Sequence, residues 1–404
     1  MVFPFLFTTT TEPNTFKMIF TNPFAHNINN RNLHFKFWAN CLLVKGYRNA
    51  LVCDVFRGRY VKVSHLFYKT FEKYADMPLD ALYHQLQFQN REGYLKILQY
   101  FVENDFAIYT DEKETLPDLP MDFSTPFEMS TAIIIFNSDS NVEILENSIA
   151  SLTNFDCQAI RIIDLGSHFN LPLIRNICNR VEESTTEHID IFSNYYRYLG
   201  PQYWSFLKEN ARIRHIHYYH SPRRDKIVVE KTKQKIQYHS RGFSLYECGG
   251  ICAGNMVINL PFFTESQRHN TCLNRKVCID AEGNIKNCPA MAKSYGNIKD
   301  TTLEEAVSKP GFKDMWYISK DQIDVCKDCE FRYMCTDCRA FIKDPSNIYS
   351  QPAKCPYNPY ICLWEGQEGY IPVEECGTYS RETGFVPDKK RIKELNRRIW
   401  GEET

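Results

Sequence analysis

The 404-residue sequence lacks net charge, because 48 lysines and arginines face 49 aspartates and glutamates. A balance of −1 excludes the strongly basic surface that binding to a nucleic-acid backbone requires. The sequence also lacks an apolar run of the roughly 20 residues needed to span a bilayer, and no basic region precedes its short initial apolar patch. A glycine-rich phosphate loop is missing too, which argues against ATP binding. We therefore expect a soluble, cytoplasmic protein without nucleic-acid or membrane partners.

Cysteine, in contrast, is abundant and unevenly distributed. Twelve of the 16 cysteines lie between Cys248 and Cys376. The other four occupy apolar stretches, where a free thiol packs as a small hydrophobic group: Cys41, Cys53, Cys157 and Cys178. In a reducing cytoplasm disulfides are disfavoured, so the twelve clustered cysteines predict metal ligation.

Composition and periodicity divide the chain into six segments and predict an α/β protein. The segments are a flexible extension (1–34), a winged-helix-like module (35–111), a proline-containing linker (112–128), a partial α/β barrel (129–247), a cysteine-rich domain (248–376) and a basic C-terminal helix (377–404). About 120 residues are too few for a complete eight-stranded barrel. The length therefore predicts a partial one.

The module at 35–111 is predicted from three strands followed by three helices. Apolar runs at Ala39–Val44, Ala50–Val55 and Arg59–Val63 indicate the strands, and Ser64 is placed to cap the first helix. A winged helix that binds DNA is disfavoured, because the long third helix carries few basic residues.

Strands and helices then alternate, which predicts a parallel sheet. Thr131–Phe136 is continuously apolar, as in a strand buried on both faces. His215, His217 and His220 nearly alternate on a later strand. They indicate either a metal or acid–base cluster or a polar strand face. We favour the polar face, because no carboxylate or cysteine accompanies them at ligand spacing.

The spacing of eight cysteines suggests two four-thiolate sites: Cys272, Cys278, Cys288, Cys326, Cys329, Cys335, Cys338 and Cys355. Zinc ribbons separate their two C-x2-C pairs by roughly 15–20 residues. Here only the five residues between Cys329 and Cys335 intervene. The spacing therefore favours iron–sulfur clusters, with structural zinc as the alternative.

This pattern, with Gly283 in the turn before Cys288, resembles the SPASM domain of peptide-modifying radical SAM enzymes. Residues 269–298 and 326–339 are similar in particular to the maturases of grasp-with-spasm graspetide clusters. The resemblance implies two [4Fe–4S] clusters, one held by Cys272, Cys278, Cys288 and Cys338 and the other by Cys326, Cys329, Cys335 and Cys355. Cys335 and Cys338 are separated by two residues, where the family pattern has three.

The C-x3-C-x2-C motif of radical SAM enzymes is missing from the loop after the first barrel strand, since residues 137–144 are NSDSNVEI. Gly166 follows the second strand without the glutamate expected near SAM. We therefore predict a degenerate radical-SAM-like barrel that does not cleave SAM. Cys248 and Cys252 form a C-x3-C pair. They leave open an alternative, a radical SAM or other redox peptide-modifying oxidoreductase with a non-standard third cluster.

The N-terminal module resembles the RiPP recognition element, which binds a leader peptide as an added strand. The matching edge consists of Tyr60, Val61, Lys62 and Val63. A docking domain that covers the barrel is the alternative. Together the resemblances imply a peptide maturation protein that binds a ribosomally made precursor peptide and acts with an ATP-grasp ligase. The sequence assigns no catalytic residue and leaves open whether the chain is itself an enzyme.

Overall fold

The computed structural model describes residues 33–111, 117–137, 142–166, 170–195, 201–222, 226–228, 234–245 and 250–401, with the backbone alone at 88–90 and 226–228. These residues form two compact units. Unit one takes the described residues within 1–123, 251–269 and 318–404, and unit two those within 124–250 and 270–317. The cysteine-rich stretch is thus shared between the two units.

The strands are β1 (His34–Phe37), β2 (Cys41–Lys45), β3 (Asn49–Asp54), β4 (Arg59–Ser64), β5 (Ala107–Thr110), β6 (Thr131–Phe136), β7 (Ala159–Asp164), β8 (His188–Asn194), β9 (Ile213–Tyr219), β10 (Lys226–Val228), β11 (Lys235–Tyr238), β12 (Lys276–Ile279), β13 (Ile285–Lys286), β14 (Tyr357–Asn358), β15 (Leu363–Trp364), β16 (Gly377–Ser380) and β17 (Gly384–Pro387). The helices are α1 (His65–Tyr74), α2 (Leu79–Gln85), α3 (Phe88–Glu103), α4 (Val142–Asn154), α5 (Leu171–Arg180), α6 (Pro201–Glu209), α7 (Leu260–Arg268), α8 (Leu303–Ser308) and α9 (Lys389–Trp400). Within the described ranges, every helix is too short or too polar to cross a membrane.

The N-terminal part of unit one contains the predicted three strands as an antiparallel sheet in the order β2–β3–β4. The Ser64 hydroxyl accepts a hydrogen bond from the Phe67 amide at 3.1 Å, so α1 begins at the predicted cap. The structure adds a pair that the sequence analysis did not predict, β1 with β5. Phe35 of β1 packs with Phe67 and Phe101 of the helices in one apolar cluster.

Unit two is built on an eight-stranded sheet in the order β10–β11–β9–β8–β7–β6–β12–β13. The pairings from β11 through β12 are parallel, and β10 and β13 join antiparallel at the two edges. The predicted parallel sheet is therefore present. Lys276–Ile279 belongs to it although its sequence lies in the cysteine-rich segment, because this strand pairs with β6 from Thr131 to Ile134.

The central strand β6 is buried on both faces, as its apolar run predicts. Ile134 and its same-face neighbours pack against Leu145 of α4, Ile177 of α5 and Leu207 of α6. On the opposite face Ile133 and Ile135 belong to a smaller cluster. This second face also carries polar and aromatic side chains from β7, β8 and β9 (Arg161, Asp190, Phe192, His215 and His217).

The remainder of unit one has little regular structure apart from α7 and α9. Two short hairpins, β14–β15 and β16–β17, provide its extended pairs. Aromatic and aliphatic side chains of 325–399, among them Tyr360, Phe385 and Leu395, form an apolar cluster under α9. Between residues 318 and 356 the chain consists mostly of turns and loops. The shape of this stretch therefore depends on side-chain contacts.

Candidate metal centre

Cys326, Cys329, Cys335 and Cys355, here called the four-thiol site, line one cavity of unit one. Its volume is about 340 Å³ including the open mouth. Cys326 begins a 3₁₀ turn in which its carbonyl accepts the Cys329 amide at 3.0 Å. Residues three apart project on the same side of a 3₁₀ turn, so both thiols face the cavity. The turn explains why a C-x2-C spacing supplies two ligands to one site.

The other two members of the four-thiol site arrive through separate turns. A turn in which the Met334 amide bonds the Phe331 carbonyl at 3.0 Å reverses the chain before Cys335. Cys355 follows a tight turn, with its amide bonded to the Pro352 carbonyl at 3.1 Å. All four thiols therefore belong to unit one and lie within a stretch of 30 residues.

One wall of the four-thiol site is apolar. Cys329, Cys335 and Cys355 pack against a cluster that contains Phe331, Met334 and Tyr357. The ring of Phe331 meets that of Tyr357 edge-on, with centroids 5.1 Å apart. A dry wall of this kind limits solvent access, which is one of the properties that set the potential of an iron–sulfur cluster.

Burial raises the pKa of each of the four thiols. For Cys335 the pKa is raised to about 11, with burial opposed by the positive charge of Lys320. A thiol with such a pKa keeps its proton at neutral pH until a metal replaces that proton. Metal binding at this site is therefore coupled to proton release. The site suits metals that bind thiolate strongly.

Buried charges surround the four-thiol site. Lys320 lines the cavity and is only 4 % exposed. Its ammonium lies 3.9 Å from a carboxylate oxygen of Asp337. The guanidinium of Arg339 contacts both oxygens of the same carboxylate, at 2.7 and 2.8 Å. Burial alone would lower the pKa of Lys320, but the negative charge of Asp337, together with Cys335 and Cys326 when these are thiolates, outweighs it and raises the pKa.

Lys320, Asp337 and Arg339 are site residues that the sequence did not predict. Asp337 and Arg339 flank Cys338 directly, and Lys320 lies six residues before Cys326. Charged residues near cysteines are ordinarily solvent-exposed, so sequence alone gave little reason to select these three. Their burial below 9 % exposure is the signal that the structure supplies.

The second group of cysteines lies in unit two and is here called the cysteine hairpin: β12 and β13 with Cys278 on β12, and Cys272 and Cys288 at its flanks. Burial raises the pKa of Cys278 strongly, and a negative charge on Cys288 raises it further. The Lys276 ammonium lies 3.5 Å from the Cys272 sulfur and also acts on Cys278. Cys338, the predicted fourth ligand of this set, is a buried residue of unit one.

The predicted peptide-binding edge lies on β4, an edge strand of its three-stranded sheet. Val61 and Val63 are buried in the N-terminal core, and Tyr60 packs edge-on against Phe331 at 5.7 Å. The Lys62 ammonium lies 3.9 Å from the buried carboxylate of Glu330. The side chains of this edge are therefore largely used in packing within unit one.

The remaining cysteines differ in their surroundings. Cys252 is exposed, while Cys362 and Cys376 are buried. The Cys376 sulfur accepts a hydrogen bond from the Asn358 amide nitrogen at 3.3 Å. Cys41, Cys53, Cys157 and Cys178 are buried core thiols, as predicted. Cys248, the other member of the C-x3-C pair, lies outside the described residues.

The histidines on β9 do make polar contacts. His215 Nδ1 lies 2.8 Å from Asp190, and His217 Nδ1 lies 3.1 Å from His239 Nε2. Burial, with the neighbouring His239, lowers the pKa of His217 to about 4. Among the residues that the structure describes, no group of three or more His, Cys, Asp or Glu side chains is arranged to hold a single metal ion, and this holds for the β9 histidines and for the four-thiol site alike.

Comparison with known proteins identifies part of the chain. Residues 271–330 match the family model of SPASM, an iron–sulfur cluster-binding domain. This part of the chain is thus similar to SPASM domains. This match begins at the cysteine hairpin and reaches into the four-thiol site, so both cysteine groups of the structure contribute to the SPASM region.

The comparison with curated proteins found no match. Among solved structures, the chain is similar to SuiB of Streptococcus suis, with 9 % identity, a TM-score of 0.34, and coverage of 79 % of this chain and 99 % of SuiB. It is also similar to SuiB bound to precursor peptide SuiA, with 10 % identity, a TM-score of 0.32, and coverage of 76 % and 96 %.

Proposed function

We propose that this chain is a maturation protein for a ribosomally made peptide of the graspetide class and that it carries two [4Fe–4S] clusters. The observation that carries the proposal is the cavity lined by Cys326, Cys329, Cys335 and Cys355 in a chain with a region similar to SPASM domains. Four thiols around a cavity suit a cluster of several atoms, whereas a single zinc ion draws its sulfur ligands to a point with bonds of about 2.3 Å.

The second cluster is proposed at the cysteine hairpin, where Cys272, Cys278 and Cys288 are the ligands that unit two supplies. The influence of Cys288 on Cys278 supports a shared site, and Lys276 and Lys286 both favour the thiolate of Cys278. Positive charges near a thiol lower the free energy of the ligating, deprotonated form.

A bound cluster supplies either electron transfer or a rigid metal support for the surrounding chain. The residues of this chain exclude water from it and compensate its charge. Phe331, Met334 and Tyr357 provide the dry wall of the four-thiol site, and Lys320 provides a positive charge at its lining. We propose that SAM is not cleaved, since the sequence lacks the C-x3-C-x2-C motif after β6.

The proposed peptide partner binds along β4 as an added strand. Because Tyr60, Val61 and Val63 are buried, the proposed contact uses the backbone of this edge strand, as in strand addition generally. The bond-forming step belongs to an ATP-grasp ligase, because this chain has no glycine-rich phosphate loop. Fluorescence anisotropy with a labelled precursor peptide of a grasp-with-spasm cluster tests the contact. Absence of binding would contradict the peptide role and leave the cluster assignment standing.

Iron and acid-labile sulfide in anaerobically purified protein test the cluster assignment. About eight of each per chain are expected for two cubanes. Zinc without sulfide would show that the metal is wrong. About twelve irons, with 5′-deoxyadenosine formed from SAM after reduction, would favour the redox enzyme alternative instead.

A further inference from the structure

Lys320 lies in the lining of the four-thiol site, although lysine is among the residues least often buried. Its side chain is 5 % exposed, and it lines the same cavity as Cys326, Cys329, Cys335 and Cys355. An ammonium removed from water is unfavourable unless a negative group compensates it. The surroundings of Lys320 therefore indicate which negative group compensates its charge.

Asp337 is the nearest carboxylate, but it is engaged elsewhere. Arg339 holds both of its oxygens, at 2.7 and 2.8 Å, while Lys320 remains at 3.9 Å. Two other buried carboxylates lie beside the site: Glu330 pairs with Lys62 at 3.9 Å and with the Tyr357 hydroxyl at 2.6 Å, and Asp324 pairs with Lys327 at 3.3 Å. Because these carboxylates are paired with other groups, the positive charge of Lys320 is available to compensate negative charge on the thiols.

We propose that Lys320 is a charge-compensating residue that favours the reduced state of the cluster bound by Cys326, Cys329, Cys335 and Cys355. The inference rests on the proposed function, since it needs a cluster at this site. Four thiolates make the site anionic, and accepting one electron adds a further negative charge. A fixed positive charge in a poorly solvated setting stabilises the more negative state by more than the less negative one.

The test is a potentiometric titration of the anaerobic full-length protein with dithionite, followed by electron paramagnetic resonance. The variant Lys320→Met removes the charge and keeps much of the apolar volume. The spectral component that disappears in Cys355→Ala is assigned to the four-thiol site. In Lys320→Met we expect the reduced-to-oxidised ratio of this component at a given potential to fall about tenfold, which is a midpoint lower by about 59 mV for one electron.

Two further variants make the result specific. Lys327→Met removes a charge from a side chain that lies between Cys326 and Cys329 in sequence but is 40 % exposed, so solvent screens it and we expect less than a threefold change. Lys320→Arg keeps the charge and should restore a midpoint near that of the original protein. An unchanged midpoint in a fully assembled Lys320→Met protein would overturn the inference.

Failure of assembly in Lys320→Met is covered by Lys320→Gln, which removes the same charge and keeps a polar side chain in the cavity lining. The ratio should fall as in Lys320→Met, and an unchanged ratio would overturn the inference. Absence of iron and sulfide from the original protein would instead overturn the proposed function. Metal analysis of the unsubstituted protein therefore separates the two failures.

Discussion

The two cysteine groups of this chain are held in position by different means. In the cysteine hairpin, Cys278 lies on a strand paired on both sides, opposite Ile133 of β6 and Lys286 of β13. In the four-thiol site, the cysteines lie on turns, and the regular structure is a 3₁₀ turn at Cys326–Asp328 and the strand β14 that follows Cys355. The sheet can therefore hold its cysteine through backbone hydrogen bonds, whereas the turns depend on side chains and, as we propose, on metal.

Iron removal should produce the largest difference between the two cysteine groups, measured as the rate of amide hydrogen exchange. After oxidation and chelation, we expect amide hydrogen exchange to accelerate at least tenfold in 320–356, because the backbone hydrogen bonds of this stretch mostly close single turns and are not supported by a sheet. Exchange in β6 and β12 should change by less than threefold. Equal acceleration in both regions, measured by mass spectrometry, would show that the sheet also depends on metal.

Loss of one proposed ligand should lower the iron content, whereas loss of another buried cysteine of unit one should not. Cys355→Ala should lose up to half of the bound iron, because removal of one of four thiolate ligands destabilises the cubane. Cys376→Ala is the matched control, since it removes a thiol that is buried in the same unit and should keep full iron content. Metal analysis decides between them, and equal iron in both variants would exclude Cys355 as a ligand.

The stability of the sheet in unit two should depend on apolar packing and not on metal. Ile279 of β12 is fully buried in the core of unit two, so Ile279→Ala should lower the free energy of unfolding of that unit by about 2–4 kcal/mol. The spectral component assigned to the four-thiol site should persist. Ile348→Ala is the control, because that side chain is 44 % exposed and should change stability by less than about 0.5 kcal/mol. Denaturant titration measures both.

The smallest predicted effect concerns pH in unit two. His217 has its pKa lowered to about 4 in the folded state, chiefly by burial, whereas an unfolded histidine titrates near 6.5. The unfolded chain therefore binds more protons between these values, so the contribution of His217 is complete above pH 6.5 and is lost as pH falls towards 4.

Replacing His217 by Gln should flatten the dependence of stability on pH between 7 and 5 by about 1–2 kcal/mol. His188→Gln is the control, because His188 is exposed on the neighbouring strand β8. Identical pH slopes for the two variants would contradict a special role for the environment of His217.

Local sequence signals predicted many of the elements. Ser64 caps α1 as expected, and the apolar run Thr131–Phe136 is a strand buried on both faces. These features depend on neighbours within a few residues, so a single sequence contains the necessary information. The match of 271–330 to SPASM likewise follows from spacing that is visible in the sequence.

Long-range pairing and charge burial were not predictable in the same way. The pairing of His34–Phe37 with Ala107–Thr110 joins distant segments, and no local pattern selects the partner. The same holds for the pairing of Lys276–Ile279 with β6. Lys320 was missed because a lysine is expected to remain in water unless the tertiary structure provides a buried partner.

The parallel pairing of β6 and β12 has a consequence for the order of folding. It closes a contact between Ser130 and Arg275, which are 145 residues apart in the sequence. Strands β6 to β9 leave the ribosome well before β12, and closing so long a loop is slow. We therefore expect the strand that carries Cys278 to dock late, onto a sheet that already exists. In the proposed function, the thiol of Cys278 would therefore stay accessible to metal until a late stage of folding.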